Sequence, residues 1–515
     1  MTPLSSRWDF ASWYLWYGWM FVAVFARLDA ADRPNILLAI SDDQSWMHAG
    51  ANGDQWIKTP AFDRIANEGV RFEFAYCASP SCAPSRAALL TGRHMWQIEE
   101  GGNLFGILKP DVYPVFTQSL RKVGYQLAAT GKTYGPGRVE GGTLSDVFGD
   151  IRNSSQLAER RPGINPIDYA ANFSSFLNAR DKSNPFFFWY GATEPHQNYE
   201  IGGWKRTDKR LEQARLPACL PDTPVTRGEI LDYGIEIEHF DRHLMRMLAA
   251  LEKAGELENT LILVTSDHGN PLPRSKCNLY DSGTRVPLAV RYPKSVPGGR
   301  VITDFVSLVD LAPTLLEVAG VTVPDSVSGQ SLLPMLRSHE EGRMEMDRSF
   351  IVTGFERHII CRRDGVGYPM RALRTHRWSY IRNYEPERWP AGDPDFNSSH
   401  QGFYGDADKG ASKAFMLANS MDPNVRPYYL RAFGRRPGEE LYDMTVDPGQ
   451  LRNLASSPAS QSTLRQLRER LDAFLDEQED PRQQGMVPWD TYPFTDQRIF
   501  RSPSWRTEGF PSKLE

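Results

Sequence analysis

The stretch "RPNILLAISDDQ", residues 33–44, decides how the chain is read. It runs apolar from Ile36 to Ile40 and stops abruptly in Ser41, Asp42 and Asp43, as expected of a buried strand whose C-terminal end opens onto a site. The same grammar recurs in "NPFFFWYGATEPH" (184–196) and "NTLILVTSDHG" (259–269), and "VPLAVRYP" (286–293) follows as a further strand. Between them, "FTQSLRKVGYQLAATG" (116–131), "IDYAANFSSFLNARD" (167–181) and a long run from Arg227 to Glu256 carry apolar residues at helical spacing. This alternation predicts an α/β fold, a large mixed sheet sandwiched by helices over residues 32–340, with ligands beyond the C-terminal strand ends. From about Glu341 the texture changes to short Arg- and Trp-rich runs, which predict a smaller α+β lobe over 341–480. The Pro- and aromatic-rich segment 481–515 lacks periodicity and is expected to wrap the surface as an irregular tail.

At 515 residues the chain is long enough for one large lobe and a smaller one. A net charge of -5 gives no drive toward nucleic acid, so an anionic ligand needs a local pocket. Arg7 precedes the apolar run "ASWYLWYGWMFVAVFA" (11–26), and small residues follow at Ala26, Ala30 and Ala31. Residues 1–30 therefore read as a secretory signal, with an uncleaved membrane anchor as the alternative, and the protein is expected to be exported to a periplasmic, extracellular or lumenal compartment. The five cysteines, Cys77, Cys82, Cys219, Cys277 and Cys361, are too few and scattered for a disulfide framework, and their odd number leaves at least one unpaired. Cys77 is close enough to Cys82 for a disulfide to form, although that bond would block any chemistry at Cys82.

Adjacent carboxylates such as Asp42 and Asp43 repel unless a cation or protons intervene. Asp267 and His268 end another strand, so three carboxylates and an imidazole can converge. Oxygen-rich ligation favours Ca²⁺ or Mg²⁺ over zinc. The alternative is that these Asp side chains merely cap turns or helices.

"CAPSRAALLTGR", residues 82–93, resembles the C-x-P-S-R-x-x-x-L-T-G signature of the type I sulfatases. The flanking "TPAFDRIANEGVRFEFAYC" (59–77) and "GYQLAATGK" (124–132) are similar to the same family. The resemblance implies an alkaline-phosphatase-like fold, and it implies that a maturation enzyme oxidises Cys82 to formylglycine. By the same resemblance Asp42, Asp43, Asp267 and the modified Cys82 would ligate Ca²⁺, with His268 standing where the family has Asn or His. Arg86 would support the formylglycine hydrate, and Lys132, His196 and Lys276 would contact the sulfate group. The hydrate offers a hydroxyl nucleophile, the cations stabilise charge on the sulfuryl oxygens, and His196 or Lys276 is the candidate proton donor. One departure is "GKTY", which puts Tyr134 where the family often has histidine; a phenol is a poor base at neutral pH.

Two further stretches, "SDHGNPLPRSKCNLYDSGTRVPLAV" (266–290) and "GVGYPMRALRTHRW" (365–378), are similar to heparan N-sulfatases (sulfamidases). They imply a sulfated sugar or glycosaminoglycan as substrate, an N-sulfoglucosamine sulfohydrolase-like activity, and Glu356, Arg357, His358 and Arg371 as sugar contacts. An O-sulfatase acting on another sulfated polysaccharide is the close rival. A phosphoesterase of the alkaline-phosphatase superfamily is disfavoured, because its nucleophile position commonly holds Thr or Ser. A non-catalytic glycan-binding protein would follow if Cys82 were never oxidised. His48, His94, His239 and His243 carry no functional signal, and Arg371 and Arg374 can equally be read as partners in structural ion pairs.

Overall fold

The computed structural model describes residues 33–398 and 401–495. The N-terminal segment read as a signal or anchor lies outside the described residues; within them, no helix is long and apolar enough to cross a membrane.

The large sheet contains β1 (Asn35–Ser41), β2 (Val70–Tyr76), β3 (Gln126–Gly131), β4 (Asp150–Ile151), β5 (Phe186–Gly191), β6 (Thr260–Ser266), β7 (Arg285–Val286), β8 (Leu288–Arg291) and β9 (Arg300–Ser307). Its spatial order is β9-β2-β8-β6-β1-β5-β3-β4, with β7 pairing off this path on β2. β1 lies between β5 and β6, parallel to both, with Leu38 opposite Trp189 on one side and Leu263 on the other. β3 continues the parallel set beside β5, whereas β8 is antiparallel to both β6 and β2.

The helices that cover this sheet are α1 (Pro60–Glu68), α2 (Cys82–Thr91), α3 (Phe116–Lys122), α4 (Tyr169–Ala179), α5 (Pro224–Ala254) and α6 (Leu311–Val318). The period-2 alternation of β1 sorts them onto two faces. Ile36, Leu38 and Ile40 pack with residues of α2, α3 and α6, while Leu37 and Ala39 pack with residues of α1, α4 and α5. A strand buried on both faces has to read as a continuous apolar run, and β1, β5 and β6 do. The stretch 116–131 departs from its helical expectation. Its helix ends at Lys122, Gly124 takes a left-handed φ of 94° that a β-carbon would disfavour, and the rest becomes β3.

β10 (Phe350–Phe355), β11 (Met370–Thr375), β12 (Trp378–Asn383) and β13 (Glu439–Asp443) form an antiparallel sheet in chain order. Helix α7 (Ala411–Ala418) lies in the β12–β13 connection, and α8 (Gln461–Glu477) buries Leu464, Leu467, Leu471 and Leu475 in the core of this sheet. Residues 481–495 do more than wrap the surface: Trp489 is buried in this same core, and Phe494 is buried in the core beneath the large sheet.

Three histidines here are buried and neutral. His94 stacks on Trp96 with ring centroids 4.6 Å apart, and burial pushes its pKa down to about 4. Burial likewise pushes His239 down to about 3 and His243 to about 4. Their folded-state pKa values lie below the ordinary 6.5, so the unfolded chain binds the extra protons. Stability is therefore full above about pH 6.5 and is lost as pH falls toward 4, by about 3 kcal/mol for a shift like that of His94. Urea unfolding at pH 7 and pH 4.5 checks this, and His94→Gln should flatten the dependence.

Candidate active site

The C-terminal ends of β1, β3, β5 and β6 lie at one edge of the sheet, and β2 runs in the same sense because β8 is antiparallel to it and to β6. That edge collects Asp42 and Asp43 after β1, Cys82 after β2, Lys132 after β3, His196 after β5, and Asp267 and His268 after β6. Cys82 opens α2, with Ser81 as its N-cap; Pro84 is tolerated because it falls in the first turn. The thiol is thus held at the positive end of a helix.

The carboxylates form a closely bonded cluster. Asp43 adopts a left-handed φ of 73°, and its N–H donates to Asp267 Oδ1 at 3.0 Å. The Tyr233 hydroxyl on α5 donates to Asp43 O at 2.9 Å and accepts from Ser45 N at 3.0 Å, which pins this turn. Arg86 donates through Nε to Asp267 Oδ2 at 2.9 Å and through Nη2 to Asp42 Oδ1 at 3.3 Å. Its Nη1 also serves the carbonyls of Lys132 and Thr133. Lys132 Nζ lies 2.6 Å from both oxygens of Asp42. Lys276 Nζ donates to Asp43 Oδ2 at 2.8 Å and Asp408 Oδ2 at 2.9 Å, and it sits 3.1 Å from His196 Nε2. Cys82 Sγ is 3.4 Å from His268 Nε2 and 3.9 Å from Asp43 Oδ1.

One ligand atom each from Asp43, Cys82, Asp267 and His268 lies within 4.8 Å of the others, and all four residues are buried. The electrostatics are those of closely packed carboxylates and cations. Burial, aided by Asp267 and Asp43, raises Asp42 above the usual carboxylate range against the pull of Lys132 and Arg86. Burial would lower His268, yet Asp267 and Asp43 outweigh it and hold the imidazole well above its ordinary value. Burial would raise Asp43, but Lys276, His196 and His268 keep it well below the usual range. Three carboxylates in a buried, electron-rich cup fit a hard divalent cation.

Residues 34–321 match the family described as Sulfatase. The chain belongs to the sulfatase family. It is therefore an enzyme that hydrolyses sulfate esters or sulfamates, in a family that generally uses formylglycine and a divalent metal. Residues 274–394 of this sulfatase match a second description, N-sulphoglucosamine sulphohydrolase, C-terminal. The N-sulphoglucosamine sulphohydrolase of Homo sapiens is 27% identical over 501 residues, covering 87% of this chain and 91% of that protein. An ulvan-active sulfatase of Formosa agariphila is 27% identical over 500 residues, covering 87% and 76%. A protein solved in complex with its substrate D-glucosamine-2-N,6-O-disulfate matches with TM-score 0.63 at 22% identity, covering 87% of this chain and 98% of that one. The phosphonate monoester hydrolase of Agrobacterium radiobacter matches with TM-score 0.60 at 19% identity, covering 87% and 96%. The expected alkaline-phosphatase-like architecture is present, and its range of names shows that fold alone leaves the substrate open.

The second lobe of the sulfatase corrects the expected sugar contacts. Arg371 is fully buried, donates to Asp480 through Nε at 2.6 Å and pairs with Glu356 at 2.8 Å. Arg482 completes the cluster with two bonds to Glu356, at 2.8 and 2.6 Å. Arg357 donates to the carbonyls of Asp490 and Tyr492 beneath the Phe494 ring. Glu356, Arg357 and Arg371 are thus spent in packing, and Arg374 is likewise paired with Asp281. Arg371→Ala should cost about 3–5 kcal/mol by leaving Asp480 buried without its counter-ion and Glu356 with Arg482 alone. Folded enzyme at low temperature should keep its KM, whereas a raised KM at unchanged stability would return Arg371 to the site. His358 alone of the four stays close to the chemistry, bonded to Ser81 Oγ at 2.8 Å; burial, helped by Lys276, pushes it down to about 3.

Tyr134 does not take a histidine's place at the sulfate. Its hydroxyl donates to Gly106 O at 3.2 Å, and its ring is buried in the core under the large sheet. All five cysteines are free, so the possible Cys77–Cys82 disulfide is not formed. Asp408 escaped notice in the sequence because "GFYGDADKG" shows no strand-end pattern, yet it is the second carboxylate on Lys276. Lys413, on α7, fixes that loop by donating to the carbonyls of Gln401, Tyr404 and Ala407.

Proposed function

We propose that this sulfatase removes the N-sulfate of glucosamine units in a glycosaminoglycan, using formylglycine made from Cys82 and a Ca²⁺ ion held by Asp42, Asp43, Asp267, His268 and the modified Cys82. The match of residues 274–394 to the C-terminal part of N-sulphoglucosamine sulphohydrolases carries the choice of substrate. When present, the hydrated aldehyde supplies a hydroxyl nucleophile, and the ion neutralises charge on the sulfuryl oxygens.

This chain's own residues do the rest. Lys132 and Lys276 set two ammonium groups at the cup, one on Asp42 and one on Asp43, where sulfuryl oxygens gather charge in the transition state. Burial would lower both, but for Lys276 the carboxylates of Asp408 and Asp43 outweigh it and hold the group well above the ordinary lysine value, so it stays charged. His196 is the candidate donor to the leaving nitrogen. Its side chain is 32% exposed, Nδ1 is anchored on Gln197 O at 2.6 Å, and Nε2 faces the charged Lys276 Nζ at 3.1 Å, which is the source of the proton. Substrate reaches these groups through a cavity of about 490 Å³ lined by Asp42, Lys132, Asn165, Thr193, His196 and Gln197.

The O-sulfate reading keeps a specific support in the ulvan-active sulfatase and in the N-acetylglucosamine-6-O-sulfatase of Bacteroides thetaiotaomicron, 28% identical over 413 residues, covering 61% of this chain and 72% of that protein. Glucosamine N-sulfate and glucosamine 6-O-sulfate, assayed side by side, decide between them. Sulfate release from the N-sulfate supports the proposal, and release from the O-sulfate alone rejects it. Export, and maturation of Cys82 by a formylglycine-forming enzyme, belong to the same proposal and are supported by the apolar run 11–26 and the "CAPSR" motif.

A further inference from the structure

Beside the sulfate cavity lies a second one, of about 670 Å³, whose walls meet those of the first at Gln197 and Asn198. We propose that it is a subsite for an anionic sugar flanking the sulfated one, so that the enzyme selects chain-borne over free substrate. The inference rests on the sulfated-sugar reading above and adds what lies next to the sulfate.

The wall is apolar and aromatic, formed by Tyr199, Trp204, Leu211 and Val225. Ile201 on its rim is 81% exposed and Val225 is 39% exposed, so both are open to contact with a ligand that enters. Trp204 has room because it lies over Gly228, where a β-carbon would come 3.0 Å from the indole Nε1. Such a surface suits the apolar face of a sugar ring.

The charges at this cavity favour an anion. Two carboxylates line it, but both lie beneath its surface, Glu229 4% and Asp232 5% exposed: Glu229 accepts from Gln197 Nε2 and the N–H groups of Ala411 and Ser412, and Asp232 accepts from the N–H groups of Gly202 and Trp204. Lys205 and Lys409, also on the cavity, are exposed, and neither forms an ion pair among the described residues. Two solvated ammonium groups beside an aromatic wall match a sugar that carries a carboxylate or a sulfate.

The test compares sulfated glucosamine alone with disaccharides whose neighbouring unit is neutral, a uronate, or sulfated. For the Lys205→Gln/Lys409→Gln variant, kcat/KM on the two anionic-neighbour disaccharides should fall at least about fivefold and lose its salt sensitivity, with the monosaccharide within about twofold. The arm that responds more strongly identifies carboxylate or sulfate as the preferred group. Trp204→Ala should weaken all three disaccharides, and calorimetric titration into Cys82→Ala protein reads the same losses without turnover. Equal effects on monosaccharide and disaccharides, or none, overturn the subsite. If only O-sulfated compounds are hydrolysed, the N-sulfate reading fails, and the same comparison in the O-sulfated series still decides the subsite.

Discussion

Cys82→Ala is expected to lower sulfate release by more than about 10⁴-fold while leaving the fold intact. The residue is 2% exposed and packs at the start of α2, so losing its sulfur leaves only a small void, worth about 1 kcal/mol. Its catalytic loss is much larger, because the hydroxyls beside it on α2 and at its N-cap are already committed. Ser81 Oγ is bonded to His358 and Ser85 Oγ to Asp267 O, so neither hydroxyl is free to replace it. Cys82→Ser should not rescue, since an ordinary hydroxyl needs a general base and offers no second hydroxyl to expel sulfate. The chemical state of the residue is read from the tryptic peptide Phe72–Arg86, which carries both Cys77 and Cys82. Alkylation after digestion should label Cys77 alone, with the other position showing the mass of an aldehyde. An active preparation in which both thiols are fully alkylated would sink the formylglycine reading.

The parts of this site that were legible in the sequence are those whose signal is local. An apolar run cut off by Asp42 and Asp43 announces both a buried strand and the end that bears chemistry, and β6 with Asp267 and His268 repeats it. The Cys82 motif is equally local, since one helical turn holds the thiol, Pro84 and Arg86. What failed depended on residues far away in the chain. Glu356 and Arg371 read as sugar contacts in the sequence, with an ion pair the equal alternative for Arg371, and only Asp480 and Arg482, more than 100 positions on, decide for the ion pairs. Asp408 is the converse case, a residue without local signal that tertiary folding brings to Lys276. The helix expected through residue 131 failed at one backbone angle, that of Gly124, which side-chain periodicity does not encode.

Asp267→Asn is expected to lower kcat/KM by about 10³-fold or more and to abolish the response to calcium. Oδ1 of Asp267 accepts from the N–H groups of Asp43 and His268, both at 3.0 Å, and Oδ2 accepts from Arg86 Nε at 2.9 Å. An amide keeps only one of these acceptors. Turned one way, its NH₂ faces the Arg86 guanidinium; turned the other way, it faces two backbone donors. Either choice sets donor against donor in a buried site and costs about 1–3 kcal/mol, enough to disturb the Asp43 turn without unfolding the large sheet. The same change removes one of the charges that crowd the cup, where Asp42, Asp43, Asp267 and Asp408 face Arg86, Lys132, Lys276 and the His268 imidazole; a dication added to this closely balanced set makes it positive, as suits an anionic sulfate. In the unaltered protein, Ca²⁺ should raise the thermal midpoint and a chelator should suppress turnover reversibly. Asp267→Asn should show neither effect and should contain less than about one tenth of the bound calcium, whereas a variant that kept both its calcium and its activity would remove Asp267 from the metal site.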